Sequence, residues 1–298
     1  MMKTSSQSKT YALTAAFIAV AIWGASAAAT SVAGRSIPPT LIAGLRSLLG
    51  CIILLPLLLR FRDQFPEKWE ERAELIASGL FGFMAYPLLL SIGVLKTSVT
   101  HASVILASAP IFTGLLSFLV TGKWPKALWW VGSVVSLLAI IILMSSRGPA
   151  ATTGTPATLS GDALILLSVL FASVGYVYGG RSSSRMGQWP ATAWSIAIGA
   201  LAFAPFTIRR AAEFDWSIPT PLELSALIFL VLFVTVIGYA LWFYALGEAG
   251  AASVAPIQFL QPIIGILIAV SFLGEVLSFN LLISVVLVIS GVWLTRRV

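Results

Sequence analysis

The stretch Leu48-Leu49-Gly50-Cys51-Ile52-Ile53-Leu54-Leu55-Pro56-Leu57-Leu58-Leu59 has no charged side chain and is apolar on every side of a helical wheel. A soluble helix keeps one polar face, whereas a helix apolar all round belongs in hydrocarbon or a large core. The remaining chain points the same way. Of 298 residues, 58% are hydrophobic and 10% are charged, against roughly 45–50% and 25% in soluble domains. Low charge, aperiodic glycines and a single cysteine, Cys51, exclude disordered, collagen-like and disulfide-stapled chains. A helix needs about 20 residues to cross the hydrocarbon, so ten helices use about 200 and leave only short loops. There is no room for a soluble catalytic domain. The net charge of +7 does not mark a nucleic-acid binder, because the basic residues form no long run and sit between apolar stretches.

Apolar runs place helix 1 at Tyr11–Ala29, helix 2 at Ile37–Leu59, helix 3 at Ala73–Leu95, helix 4 at Ser98–Val120 and helix 5 at Ala127–Met144. Ser145–Ser160, rich in Gly, Pro, Ala and Thr, reads as a flexible linker. Helix 6 follows at Gly161–Gly179, helix 7 at Pro190–Ile208, helix 8 at Leu222–Leu246, helix 9 at Ala251–Phe272 and helix 10 at Leu277–Thr295. Helix 1 is read as a membrane span; its apolar run is long for a signal peptide, although Lys3, Lys9 and Ala25-Ser26-Ala27 would suit one.

With both termini in the cytoplasm, the inside segments hold Lys3, Lys9, Arg60, Arg62, Lys68, Arg72, Lys123, Lys126, Arg181, Arg185, Arg296 and Arg297. The outside segments hold Arg35, Lys96, Arg147, Arg209 and Arg210. This bias follows the positive-inside rule, and Trp69, Trp124, Trp189 and Trp216 fall near helix ends as interfacial anchors.

The chain also matches itself at an offset of 152: Pro38 with Pro190, Pro110 with Pro262, and Gly122 with Gly274. Tyr86 and Tyr239 match within one residue of that offset. The expected fold class is therefore an all-α polytopic membrane protein of ten helices in two repeats. Residues 1–144 form the first repeat, 145–160 the linker and 161–298 the second repeat. Five helices is an odd number, so the second repeat enters the membrane upside down. Inverted repeats are an architecture of secondary transporters, whose substrate sites lie near the bilayer midplane.

Trp23-Gly24, Leu45-Arg46, Ala109-Pro110, Gln261-Pro262, Phe272-Leu273-Gly274-Glu275 and Leu277 occur in an order that resembles the drug/metabolite transporter superfamily. The likeness is to its ten-helix branch with two EamA-type repeats and covers nearly the whole chain. Gly122-Lys123 departs from the Gly-Glu that the family often carries in the first half. The resemblance implies metabolite export from a bacterial inner membrane. More narrowly, the chain is similar to YddG-like exporters of aromatic and other amino acids and of methyl viologen.

An ionisable residue in hydrocarbon is costly unless it faces protein or water. All eleven acids, Asp63, Glu67, Glu70, Glu71, Glu74, Asp162, Glu213, Asp215, Glu223, Glu248 and Glu275, lie in loops or at helix ends. Proton antiport through a mid-membrane carboxylate is therefore unsupported. Arg46 lies nine residues into helix 2, about 14 Å deep at 1.5 Å per residue. It either pairs with a substrate carboxylate or caps carbonyls freed at a kink in a neighbouring helix. The resemblance, which places such an Arg in members with different substrates, favours the cap. A lone Arg does not suit sugar phosphates, which call for a cluster of cations.

His101 is the only histidine, three residues into helix 4, and is read as an interfacial residue, a pH sensor or a substrate contact at the outer mouth. Gln258 and Gln261 share one face of helix 9, and His101 and Ser108 share one of helix 4. Trp23, Tyr86, Tyr176, Tyr178, Tyr239 and Trp242 suit either helix packing or a site for aromatic solutes. Pro110 and Pro262 each delete a backbone donor, predicting kinks in mid-helix that serve as hinges.

The leading expectation is a uniporter of small neutral or zwitterionic metabolites, amino acids above all. Its cavity is lined by Trp23, Arg46, Tyr86, His101, Ser108, Tyr176, Tyr239, Trp242, Gln258 and Gln261, with Pro110 and Pro262 as hinges. Neither a cofactor nor a metal is expected; the partners are a small-molecule substrate and the lipid bilayer, and the protein is a monomer. A proton-coupled exporter of planar cations is the alternative. An intramembrane enzyme built on Ser26 and His101 is the remote one.

Overall fold

The computed structural model describes residues 6–122, 126–145, 156–249, 257–258 and 260–295. Among them the chain makes ten apolar helical passes and no strand. The expected linker and the start of helix 9 fall mostly outside the described residues, as do Lys123 and Trp124.

Helix 1 comprises Ser6–Gly24 and Ser26–Ala33, and helix 2 comprises Pro39–Ile53 and Leu55–Arg60. Helix 3 runs Trp69–Gly79, Leu80–Ala85 and Tyr86–Val94; helix 4 is split into Val99–Leu106 and Ala109–Thr121; helix 5 is Ala127–Ser145. Helix 6 is Leu159–Met186 and helix 7 Gln188–Glu213, both longer than their apolar windows. Helix 8 runs Pro221–Phe229, Leu230–Ile237 and Gly238–Ala249; helix 9 is Leu260–Leu273; helix 10 is Phe279–Thr295.

The irregularities repeat between the halves. Leu80–Ala85 in helix 3 and Leu230–Ile237 in helix 8 are both wide π turns. Each is followed within two residues by a tyrosine, Tyr86 or Tyr239. Gly122 and Gly274 end helices 4 and 9 with φ of +70° and +65°. Those left-handed values exclude most side chains and give the glycine match a conformational cause. The fold is an all-α polytopic membrane protein of two inverted five-helix repeats.

Lipid does not drive helices together as water does, so tight packing must hold them. Gly82 in the helix 3 π turn meets Gly175 of helix 6 so closely that a Cβ on Gly175 would lie 2.6 Å from the Gly82 Cα. Helices 5 and 10 lie against each other, and the Ser136 hydroxyl reaches the Val288 carbonyl at 3.3 Å. The outside of the bundle is greasy: Leu59 is 62% exposed, Phe279 77% and Phe272 82%. Exposed apolar residues on this scale mark a lipid-facing surface.

Candidate functional site

Two narrow chambers meet in the middle of the bundle. One is lined by Trp23, Ser26, Arg46, Tyr86, Leu106, Tyr176, Val234, Tyr239 and Gln261. The other is lined by Tyr86, Leu106, Ala107, Ala109, Val169, Ala172, Tyr176, Gln258 and Gln261. Tyr86, Leu106, Tyr176 and Gln261 border both and divide them.

Broken helices build this wall. A π turn widens the backbone by one residue and frees a carbonyl, a feature often found at functional sites. In helix 8, the Trp23 indole N–H donates to the Val234 carbonyl at 3.1 Å. The Thr235 hydroxyl donates to Leu230 O at 2.9 Å and is itself approached by Arg46 Nε at 3.5 Å. In helix 3, the Ser47 hydroxyl donates to the Phe83 carbonyl. Side chains of helices 1 and 2 thus donate to carbonyls within both π turns.

Helix 4 is interrupted at 107–108, with Ser108 N on Ile105 O at 3.0 Å and Ile111 N on Ser108 O at 2.9 Å. Pro110 is therefore not in mid-helix as expected. It stands in the first turn of a new helix, where its missing N–H costs nothing. Pro262 likewise lies in the first turn of Leu260–Leu273. In helix 4 the mid-helix kink is corrected to an outright break, while the residues just before Leu260 lie mostly outside those described. In an α-helix these prolines would serve the carbonyls four residues back, Leu106 and Gln258, and both those residues line the cavity. Irregular backbone at membrane depth is tolerated where it lines such a cavity.

Of the ten expected lining residues, Trp23, Arg46, Tyr86, Tyr176, Tyr239, Gln258 and Gln261 come together here. Trp242 stands behind the wall, its ring 5.4 Å from that of Trp23, which also meets Tyr239 at 5.1 Å. Ser108 borders neither chamber; its hydroxyl turns back to Ile105 O at 2.6 Å, because a short side chain at a helix break finds a backbone acceptor first. Arg46 is 3% exposed; its charge is felt by Tyr86 and Tyr239, and its Nη1 has no hydrogen-bond partner. It makes no bond to a carbonyl. The Ser26 hydroxyl is also buried and unpartnered, so it is not bonded to His101 as a nucleophile–base pair would require.

His101 stands apart from the chambers. It is buried, with Nδ1 3.0 Å from the Asp162 carboxylate, whose other oxygen accepts from Thr97 at 2.5 Å. Glu275 accepts the backbone N–H groups of Val99 at 2.6 Å and Thr100 at 2.9 Å, capping the start of helix 4. Glu223 takes Ser36 and the Thr220 N–H, both at 2.8 Å. We call this the upper face. On the lower face Glu74 joins helix 3 to Arg181 at 2.7 Å and to Arg185 of helix 6. Sequence reasoning placed these acids at helix ends but missed that Asp162 and Glu275 are buried clamps. The motif Gly274-Glu275 was the available signal for the second.

The sequence pattern of the EamA-like transporter family matches residues 10–145 and, again, 159–297. Relatives include the "uncharacterized transporter YdeK" of Bacillus subtilis, 28% identical over 94% of this chain and 95% of its own. The "uncharacterized inner membrane transporter YedA" of Escherichia coli K12 is 28% identical over 89% of this chain and 83% of its own. A solved crystal structure superposes over 96% of both chains with a TM-score of 0.62 at 20% identity, a likeness of fold.

Proposed function

The chain belongs to the EamA-like transporter family, and on that premise we propose that it exports small neutral or zwitterionic metabolites, amino acids above all, by alternating access around the two chambers. One observation carries the reading. The cavity lies where the π turns of helices 3 and 8, the break of helix 4 and the first turn of helix 9 converge, so both inverted halves shape one site. Rings, amides and one guanidinium line it, with no carboxylate among the described lining residues. Such a wall suits a solute with an apolar body and few polar groups.

Uniport follows from the same wall. Among the described lining residues no carboxylate is available to carry a proton, and His101 is engaged with Asp162 outside the chambers. A planar cation would find the same rings but would meet the Arg46 charge, which disfavours the multidrug alternative. The upper face is the outer one, both termini are cytoplasmic, and the home is a bacterial inner membrane, as YedA's name states for that relative.

Counterflow in proteoliposomes tests this. Radiolabelled Phe, Trp, Met and Thr are offered to purified protein, with and without an imposed pH gradient. Counterflow that ignores the gradient is the expected result. Uptake that tracks the gradient would overturn uniport, and no counterflow with any amino acid would overturn the substrate class.

A further inference from the structure

Among the described residues, five buried side-chain polar atoms have no partner: Ser26 Oγ, Arg46 Nη1, Ser91 Oγ, Ser183 Oγ and Ser284 Oγ. Two of the five, Ser26 Oγ and Arg46 Nη1, belong to residues in the wall of one chamber. An unpaired guanidinium nitrogen inside a membrane protein is costly, and a proper counter-ion repays it. Among the described lining residues no carboxylate supplies one. Arg's remaining bond, to Thr235, occupies only Nε, leaving the planar fork for an incoming acid group.

The other chamber differs in kind. Ala107, Ala109, Val169 and Ala172 make it small-walled and apolar. Between the two stands Leu106, whose carbonyl lies at the break of helix 4 and finds no N–H on Pro110 four residues on. Such a carbonyl accepts a hydrogen bond from an ammonium group.

We propose that the cavity is a two-part α-amino-acid clamp. Arg46 and Ser26 hold the carboxylate, the Leu106 carbonyl at the break of helix 4 takes the ammonium, and the alanine-walled chamber takes the side chain and limits its size. Arg46 is thereby a substrate anchor and not a cap. The inference rests on the transport reading above and sharpens it to zwitterions carrying a free carboxylate.

The test combines analogue competition with substitution. In wild-type proteoliposomes, excess phenylpropionate, which lacks the amine, should compete with Phe, and phenethylamine, which lacks the carboxylate, should not. Arg46→Gln should cut Phe counterflow about tenfold or more, the loss of a hydrogen bond to a charged group, with Arg46→Lys retaining part. Ala172→Leu should depress Phe counterflow more than Ala counterflow. Equal competition by phenethylamine, or unchanged Phe counterflow in a folded Arg46→Gln protein, would overturn the clamp and leave transport standing. If Arg46→Gln does not fold, the analogue comparison on wild type still decides. If no amino acid is transported, the transport reading fails, and thermal stabilisation by phenylpropionate in detergent decides the anchor alone. Stabilisation of wild type by the acid but not by the amine supports it, and equal or absent stabilisation overturns it.

Discussion

The π turns of helices 3 and 8 occupy equivalent places in the two halves, yet they are finished differently. Helix 3's turn is closed by one hydroxyl, Ser47 on Phe83 O, and by the contact of Gly82 with Gly175. Helix 8's turn is closed by an indole and a hydroxyl, and the hydroxyl of Thr235 also meets Arg46. The backbone follows the symmetry and the side chains break it. On the alternating-access proposal the inverted halves give two comparable conformations, while the Arg46 charge on one side gives the cavity a polar end and an apolar end.

The largest effect is expected where the symmetric backbone is tightest. Gly175→Leu drives a side chain into the Gly82 backbone and should abolish the monodisperse peak on size-exclusion chromatography; Gly175→Ala should cost about 1–3 kcal/mol as an overpacked contact, read as a lower melting temperature. A well-behaved Gly175→Leu protein would break the account of helix 3. Next come the first-turn prolines. Pro110→Ala and Pro262→Ala should each preserve folding and cut counterflow, since an N–H restored there favours a continuous helix. Unchanged transport in both would sink the hinge role.

A smaller effect is expected at the upper clamp. Glu275→Gln weakens two charge-assisted bonds at the start of helix 4 and should cost roughly 1–2 kcal/mol, visible in thermal unfolding. The smallest comes from the two closures themselves. Trp23→Phe and Ser47→Ala each remove one donor from a π-turn carbonyl, about 1 kcal/mol apiece. Matched losses of stability with a larger transport loss for Trp23→Phe would sharpen the contrast between the halves. Equal transport losses would blur it.

Hydropathy carried the ten passes, because length and apolarity are what a bilayer demands of any helix. It stopped short on helices 6 and 7, whose ends run on through polar residues such as Arg181 and Arg209 beyond the apolar window. The glycine match at 122 and 274 was legible because a positive φ leaves a residue-type mark. The π turns were not legible: Leu80-Phe81-Gly82-Phe83-Met84-Ala85 reads as ordinary helix, and tertiary partners such as Ser47 and Gly175 decide its widening. Trp23, Tyr86, Tyr176, Tyr239, Gln258 and Gln261 meet in the cavity as expected because rings and amides deep in an apolar bundle have few other places to go, and Arg46 joins them because a buried charge needs a polar wall. His101 went elsewhere because Asp162, 61 residues away, lies beside it, and no local pattern encodes that pairing.

The most direct test of transport through this cavity uses side-specific labelling. In a Cys51→Ser background, a single cysteine replaces Ala172, and a membrane-impermeant maleimide is applied to either face of oriented vesicles. The account predicts labelling from both faces, protection by Phe, and loss of counterflow once labelled. Labelling from neither face, or full counterflow after complete labelling, would contradict it.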